Sequence, residues 1–363
     1  MIDTDYFDKL ANEIFVDNKH VASVEVIPVE KSETKKPNYS EDEIKEIEQT
    51  CKDLEKWQAT PDSKEDEAKL PVMKKSDIGE IRQYPKWARR DKDSQLLEYD
   101  IETNGISHIN RYYPINNLDL KELPYASIVS LLLGKLDTTE HDCSQIDVII
   151  QKYFGHLDFS CAYFENIKDI NEIDLRFAVR SSCLQDYTNY QYGFIDEILT
   201  ETKFDDFEKI KTILNQKKVA MEQGFIAAGH MAAMNKALTT VLPIYAVSDT
   251  SSGIAFYEFL KETLANFDKN KQELSSKLCE ISKKMFTQSP AVSFAGTEGI
   301  AFDDPATDSN KTRAEVSSDK NSKAYKIPSG VNYCAMVNDF RTCGEEVSGA
   351  NITASKIIAL EYL

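Results

Sequence analysis

The order of apolar patterns after about Gly79 constrains the fold of this chain more than any other feature. Five stretches are predicted to be strands: 97–101, 106–112, 157–164, 172–180 and 290–296. Apolar residues at helical spacing occupy three others: 124–136, 139–154 and 187–286, the last with breaks near 203–206 and 249–253. Paired strands, two helices, paired strands and then several helices predict an α+β fold, with helices packed against one face of an antiparallel sheet.

Two local patterns sharpen this prediction. Thr103-Asn104-Gly105 is typical of a tight turn and predicts a hairpin between the first two strands. In the fourth strand, four apolar residues alternate with polar ones and should share one buried face: Ile173, Leu175, Phe177 and Val179.

The segments before and after this region are expected to be incomplete units and connections. Residues 1–30 predict a helix from Tyr6 to Phe15 and a strand from Val21 to Pro28, which suits the tail of a preceding α+β unit. Residues 31–78 are strongly charged and begin a helix with the capping-box sequence Ser40-Glu41-Asp42-Glu43, so we expect a helical hairpin linker.

The complete α+β unit is then expected over 79–300. A polar loop follows over 301–323, and 324–363 should be the truncated start of another α+β unit. In that last segment, Val331 to Met336 predict a strand and Ser348 to Leu363 the first turns of a helix.

Composition excludes several classes of function. The 363 residues carry 61 acidic and 43 basic side chains, a net charge of −18, which argues against a nucleic-acid partner. Seven scattered cysteines without a C-x-x-C motif predict neither a disulfide framework nor a cysteine zinc site. Neither a signal peptide nor a membrane span is predicted, so we expect a cytoplasmic protein with no membrane partner.

Several residues resemble parts of catalytic sites, and each has a structural alternative. Asp137-Thr138-Thr139-Glu140-His141 approaches the zinc motif H-x-x-E-H, but Thr138 or Thr139 is expected to cap the next helix, with Glu140 and His141 in its first turn. His230 lies among alanines and is expected to be a core or boundary group rather than a ligand.

The remaining candidates are also weak. His20, His108 and His156 are isolated in the sequence, and Cys143 is two residues from His141, a spacing that points the two side chains apart on a helix. Gly296 and Gly299 lack the Lys-Ser/Thr of a phosphate loop. Three tyrosines could form a peptide-contacting patch, although aromatic residues at a helix start usually pack at a core boundary: Tyr187, Tyr190 and Tyr192.

Taken in order along the chain, a set of short motifs resembles the presequence-protease branch of the insulinase/pitrilysin family of zinc metallopeptidases. The main matching motifs are Phe15-Val16-Asp17-Asn18-Lys19-His20, Leu54-Glu55-Lys56-Trp57-Gln58, Pro61-Asp62-Ser63, Leu70-Pro71, Ser76-Asp77-Ile78, Thr103-Asn104-Gly105-Ile106, Lys203-Phe204-Asp205-Asp206, Gly229-His230-Met231-Ala232, Ser252-Gly253-Ile254 and Ile327-Pro328-Ser329-Gly330-Val331-Asn332-Tyr333. None is specific alone, but their order covers nearly the whole chain. The sequence departs from the family at two places. It has Gly134-Lys135 where the family commonly has Gly-Thr, and Gly155-His156 where the family often has a pair of glycines.

The resemblance implies four similar α+β units in two halves that a helical hairpin joins, enclosing a chamber that degrades unfolded peptides. Residues 1–30 would end the second unit, 79–300 would be the third and 324–363 would begin the fourth. The zinc ligands of the first unit are then expected before Met1, and the family's substrate-binding Arg and Tyr beyond Leu363.

The helix before Gly134 matches the family's catalytic helix in layout but not in residues. Where a catalytic unit has H-x-x-E-H, this chain has Tyr125, Ile128 and Val129, which cannot bind zinc or activate its water. We therefore expect this chain to contribute no catalytic and no metal-binding residue, and the sequence does not identify its substrate-binding residues.

The expected function is the non-catalytic part of a zinc metalloendopeptidase, in which metal-activated water attacks the peptide in the full enzyme. This segment alone is expected to be inactive and to bind no zinc. Its expected partners are peptide substrates and the rest of its own polypeptide, the N-terminal catalytic half. The alternative is a non-catalytic peptide-binding or scaffold homologue that lacks zinc altogether.

Overall fold

The computed structural model describes residues 4–27, 38–77, 79, 87–89, 96–99, 101–166, 169–296, 312–313, 325–326, 335 and 337. The chain divides into two compact units, Met1–Arg82 and Gln83–Leu363. Of the loop predicted over 301–323, only Thr312–Arg313 is described. The helix predicted from Ser348 and nearly all of the strand predicted from Val331 lie outside the described residues.

The described part of the first unit contains one long helix and several short ones, with mostly exposed side chains. Its elements are α1 (Tyr6–Ala11), a π-helical turn (Asn12–Val16), α2 (Glu41–Ala59), α3 (Lys64–Glu67) and a 3-10 turn (Lys75–Asp77). The capping box that begins α2 is confirmed, because the Ser40 side chain accepts from the Glu43 N–H and the Glu43 carboxylate accepts from the Ser40 N–H.

The first unit differs from the sequence-based predictions in two segments. The strand predicted from Val21 to Pro28 is wrong over 21–27, which is exposed and has no regular structure. No neighbouring strand in the described part of this unit supplies the hydrogen bonds that an isolated strand would lack. After α2 the predicted second helix is a single turn, α3, and the helical hairpin stays a prediction.

The second unit contains one sheet and a layer of helices. Its strands are β1 (Trp87–Arg89), β2 (Leu96–Tyr99), β3 (Ile106–Pro114), β4 (His156–Asn166), β5 (Asp169–Leu184), β6 (Ala291–Ala295) and β7 (Thr312–Arg313). Its helices are α4 (Leu123–Leu132), α5 (Cys143–Tyr153), α6 (Thr188–Glu201), α7 (Phe207–Ala227), α8 (Gly229–Leu238), α9 (Pro243–Ser252), α10 (Ile254–Ala265) and α11 (Phe267–Met285). The predicted α+β class is confirmed.

The sheet has the order β1-β2-β6-β3-β5-β4, with β7 paired to β5. The hairpin predicted between β2 and β3 is wrong, because β6 lies between them, parallel to β2 and antiparallel to β3. The tight turn itself is present, with Asn104 and Gly105 both at positive φ. Every other pair is antiparallel, so the predicted antiparallel sheet holds except at the junction of β2 and β6.

The helices cover one face of the sheet. Ile173, Leu175, Phe177 and Val179 of β5 all have no exposed surface and belong to one apolar core, which confirms the predicted buried face. The same core takes in residues from α4, α6, α7, α10 and α11. At about 25 cal/mol per Å² of apolar surface removed from water, this layer dominates the stability of the unit.

Helix ends follow local chemistry. Gly134, at φ +73°, adopts the left-handed conformation that ends the α4 segment, so α4 stops at Leu132 rather than at the predicted residue 136. The helical region from 187 to 286 breaks at the two predicted places and also at Ala228, at residues 239–242 and at Asn266. Within the residues that the structure describes, no helix is long and apolar enough to cross a membrane.

Candidate peptide-contact surface

The three positions that match the zinc motif lie on α4, which begins after Glu122 with Pro124 in its first turn. Ile128 and Val129 have no exposed surface and belong to the apolar core. The Tyr125 ring packs edge-to-face against Phe259 of α10, with 5.0 Å between ring centroids. Apolar packing therefore fills this face of α4, and it offers no metal ligand.

The helix start predicted at Thr138 or Thr139 is wrong. The cap of α5 is Asp142, whose carboxylate accepts from the N–H groups of Ser144 and Gln145, and the Gln145 side chain accepts from the Asp142 N–H. Glu140 and His141 thus precede the helix. A capping box built from Asp and Gln takes precedence over threonines farther upstream because it satisfies two helix N–H groups and one cap N–H together.

The segment before α5 is instead tied to α6. Thr138 Oγ1 donates to Glu197 Oε1 at 2.5 Å, and His141 Nδ1 lies 2.9 Å from the same oxygen. Thr139 hydrogen-bonds to Glu201 one turn along α6. Asp137 accepts from the Cys143 N–H, so it does not join His141 in a ligand set. Among the described residues, no three or more His, Cys, Asp or Glu side chains are arranged to hold a metal ion.

The other candidates from the sequence are dispersed. His230 is exposed on the first turn of α8 rather than buried, and His20 is exposed in the first unit. His108 and His156 are both exposed and lie in register with Ser182 of β5, one on each side, so they share a face of the sheet two strands apart. Gly299 lies outside the described residues, and the five described cysteines are free thiols.

The three tyrosines do not form one patch. Tyr187 and Tyr190 each pack against Tyr153 with centroids 4.9 Å apart, and both are partly exposed. Burial is the largest cause that raises the pKa of Tyr190, and neighbouring Tyr153 and Glu197 raise it further. Tyr192 instead lies beneath the guanidinium of Arg111, whose carbon is 3.2 Å from the ring centroid. Tyr187 and Tyr190 are the pair that could touch a peptide.

The face of the sheet away from the helices carries polar side chains that the sequence analysis did not single out. On β5 these are Arg176 and Arg180, which alternate with the buried core residues. Arg180 Nη1 donates to Ser160 Oγ at 2.7 Å and to Asp158 at 3.2 Å, and Arg176 Nε donates to Asp174 at 2.9 Å. The side chain of Arg180 is 38% exposed, so part of it is accessible to a ligand.

Aromatic side chains border these arginines on the same face. Tyr112 of β3 and Phe164 of β4 meet edge-to-face at 6.0 Å, and Phe164 is 48% exposed. Guanidinium, hydroxyl and aromatic groups together can hydrogen-bond peptide groups and pack against apolar side chains. The signal for this face was in the sequence, because the period of two that predicts the buried side of β5 also predicts what its other side presents.

Comparison with known proteins agrees with this architecture. The family model for the peptidase M-16C associated region matches residues 29–263, more than half of the chain. The chain therefore belongs to the peptidase M-16C associated family.

Among curated proteins, the chain is 26% identical to Protein HypA of Clostridium perfringens, over 99% of this chain and 39% of that protein. It is also 26% identical to the mitochondrial presequence protease of Yarrowia lipolytica, over 69% of this chain and 25% of that protein. Presequence protease 1 of Arabidopsis thaliana, chloroplastic/mitochondrial, is 21% identical over 98% of this chain and 35% of its own length. The chain thus spans 39% or less of these relatives, and the relationship indicates a peptidase-related role.

Proposed function

We propose that this chain is the non-catalytic part of a zinc-dependent metalloendopeptidase that degrades unfolded peptides inside a closed chamber. Family membership and the similarity to presequence proteases support the peptidase part of the proposal. The residues of α4 support the non-catalytic part. Tyr125, Ile128 and Val129 stand where a catalytic helix has its two histidines and its glutamate.

Zinc does not fit these three positions. Zinc in proteins is held by His, Cys and carboxylate groups, whereas Ile128 and Val129 are aliphatic and Tyr125 is packed against Phe259. The zinc unit of the proposed enzyme therefore belongs to another part of a longer polypeptide. The small share of each relative that this chain spans is compatible with that division.

In this proposal, the chain forms part of the chamber wall and contacts the peptides inside it. The open face of the sheet presents Arg180, Ser160, Tyr112 and Phe164, which suits weak contacts along an extended peptide. Such contacts hold many sequences because they engage backbone groups and apolar side chains without a tightly fitted pocket.

The test compares two proteins: the complete gene product and the 363-residue chain alone. Zinc content is measured by mass spectrometry, and cleavage is followed with a quenched fluorescent peptide that has no stable fold. We expect the complete product to contain about one zinc per molecule and to cleave the peptide, and the chain alone to do neither. Stoichiometric zinc together with cleavage by the chain alone would contradict the proposal.

The alternative is a peptide-binding or scaffold homologue without zinc. It predicts a complete product that lacks an H-x-x-E-H helix, contains no zinc and still binds unfolded peptides. The encoded sequence upstream of Met1 and the same zinc measurement distinguish the two functions.

A further inference from the structure

A groove of about 620 Å³ lies on the helix layer, between the start of α4, the end of α10 and the length of α11. Its floor is aromatic and apolar. The Tyr125 and Phe259 rings meet there edge-to-face, and Phe267 and Leu274 complete the apolar part of the lining. Tyr125 and Phe259 are only partly buried, so their rings are accessible from solvent.

The charges around this groove are unevenly matched. Lys277 and Lys284 both bond to Glu122, at 2.8 and 2.9 Å, and both also bond to Glu280, at 3.1 and 2.8 Å. Two carboxylates are therefore matched by two ammonium groups in a closed network.

Glu262 and Glu273 also line the groove, and both are exposed. Within the described part of the chain neither forms an ion pair. The lining therefore offers two unmatched negative charges beside an accessible aromatic pair.

We propose that this groove binds a short cationic segment of a partner protein, with one Arg or Lys side chain over the Tyr125–Phe259 pair and between Glu262 and Glu273. An aromatic face attracts a cation within about 6 Å of its centroid, and a carboxylate strengthens the contact through a charge-assisted hydrogen bond. The alkyl stem of the same side chain would pack on the apolar floor.

The net charge of −18 favours the encounter with such a partner at low salt. This inference does not rest on the proposed peptidase function, because the groove lies on the helix layer and uses none of the open sheet face.

The probe is a fluorescein-labelled dodecapeptide that contains two arginines among leucine, glycine and serine. Its affinity for the 363-residue chain is measured by fluorescence polarisation at low and at physiological salt. The control peptide has citrulline in place of each arginine, which keeps the shape and removes the charge. We expect the arginine peptide to bind and the citrulline peptide to bind at least about fivefold more weakly.

Two double variants locate the binding. Glu262→Gln with Glu273→Gln removes the unmatched charges of the groove, and we expect the dissociation constant to rise about fivefold. Glu55→Gln with Glu140→Gln removes two exposed charges elsewhere, and here we expect a change of less than about twofold. All four substitutions are on exposed side chains, and circular dichroism checks that each protein is folded.

A third variant tests the floor. Phe259→Leu keeps an apolar side chain but removes the aromatic face, and we expect about threefold weaker binding of the arginine peptide. Equal effects of the two double variants would show that only the overall charge matters, and an unchanged affinity of the groove variant would also overturn the proposal. A change in oligomeric state of the groove variant on size-exclusion chromatography would instead identify a second copy of this chain as the occupant.

Discussion

Arg111 is a charged side chain with only 1% of its surface exposed, in the layer between β3 and α6. Its guanidinium donates to the Tyr192 carbonyl oxygen at 2.9 Å, forms an ion pair with Asp196 and lies over the Tyr192 ring. Burial alone lowers the pKa of Arg111, but Tyr113, Tyr192 and Asp196 raise it further than burial lowers it. Asp196 on α6 forms the ion pair with Arg111 on β3, so this pair connects α6 to the sheet.

Gly253, between α9 and α10, is required for a reason that its backbone angles do not reveal. A Cβ at this position would lie 2.3 Å from Asp249 Oδ1 and 2.9 Å from Asp249 Cα. Asp249 cannot move freely, because its carboxylate pairs with Lys236 at 2.5 Å and accepts from the Ala255 N–H. Asp249 of α9 thus connects α8, through Lys236, with α10, through Ala255, and residue 253 must pass close to it.

We predict that Gly253→Ala lowers the free energy of unfolding by about 2 kcal/mol, the usual cost of forcing extra volume into a packed site. The added methyl group must displace Asp249 and weaken its contact with Lys236. Urea unfolding followed by circular dichroism measures the change.

Gly193→Ala is the matched control. Gly193 lies inside α6, and no heavy atom is within 4 Å of its added Cβ. Alanine is the better helix former, so we expect unfolding to cost the same or up to about 1 kcal/mol more. A loss of stability at position 193 as large as that at 253 would refute the steric explanation.

At the scale of elements, α4 and α11 are held together by apolar packing and by the four-charge network around Glu122. The Glu122 side chain is 13% exposed and receives hydrogen bonds from two lysines. Burial acts to raise its pKa, but the bonds from Lys277 and Lys284 prevail and lower that pKa from 4.5 to about 2.

This shift predicts a pH dependence of stability. A carboxylate whose pKa is lower in the folded state stabilises the protein above its unfolded pKa, and that contribution is lost as the pH falls through the folded value. We expect Glu122→Gln to lower the free energy of unfolding by about 1 kcal/mol at neutral pH, allowing for screening by solvent. The difference between the two proteins should shrink below pH 4.5 and vanish near pH 2.

Urea unfolding from about pH 7 to about pH 2 measures this difference. Glu140→Gln serves as the control, since Glu140 is exposed and forms no ion pair in the described part of the chain. It should leave the pH profile unchanged. Parallel profiles for the original chain and for Glu122→Gln would show that the network does not stabilise the fold.

Elements were predictable wherever their signal is local. The alternation along β5 identified its buried face, and the capping box at Ser40 identified the start of α2. The position of β6 was not predictable, because Asn104 and Gly105 indicate a turn but do not specify which strands become neighbours. The cap of α5 was misplaced because Asp142 competes with Thr138, and the tie from Thr138 to Glu197 joins residues far apart in sequence.

The candidate sites show the same limit. On α4 the sequence alone was enough to predict that Tyr125, Ile128 and Val129 supply no zinc site, because this follows from the residue types. The sequence could not distinguish inward-facing from exposed tyrosines near residue 190. Tyr192 packs against Arg111, which lies on a strand distant in sequence, whereas Tyr190 is exposed. The groove lined by Glu262 forms only where α4, α10 and α11 meet, and the sequence of no single helix predicts it.

At the scale of the whole second unit, β6 is the strand on which the sheet depends. It pairs with β2 on one side and β3 on the other, and Val292 and Phe294 pack with Leu96 and Ile109 in a second apolar cluster. Without β6, the backbone groups of β2 and β3 that face it would be unpaired, and unpaired strand edges promote association.

We predict that a chain ending at Ser289 forms oligomers and binds a hydrophobic dye, whereas a chain ending at Gly296 stays closer to the full-length chain in both respects. The two differ only by seven residues, 290–296, which contain β6. Size-exclusion chromatography and dye fluorescence make the comparison. Identical behaviour of the two truncated chains would show that β6 does not complete the sheet.

The central place of β6 also has a consequence for biosynthesis. A ribosome makes β3 early and β6 only after β4, β5 and all the helices that cover the sheet. During that interval β2 and β3 each have one edge whose backbone groups are still unpaired, because β6 has not yet been made. The centre of the sheet can therefore close only after β6 has been made, and a holding chaperone is expected to matter most while α5 to α11 are being synthesised.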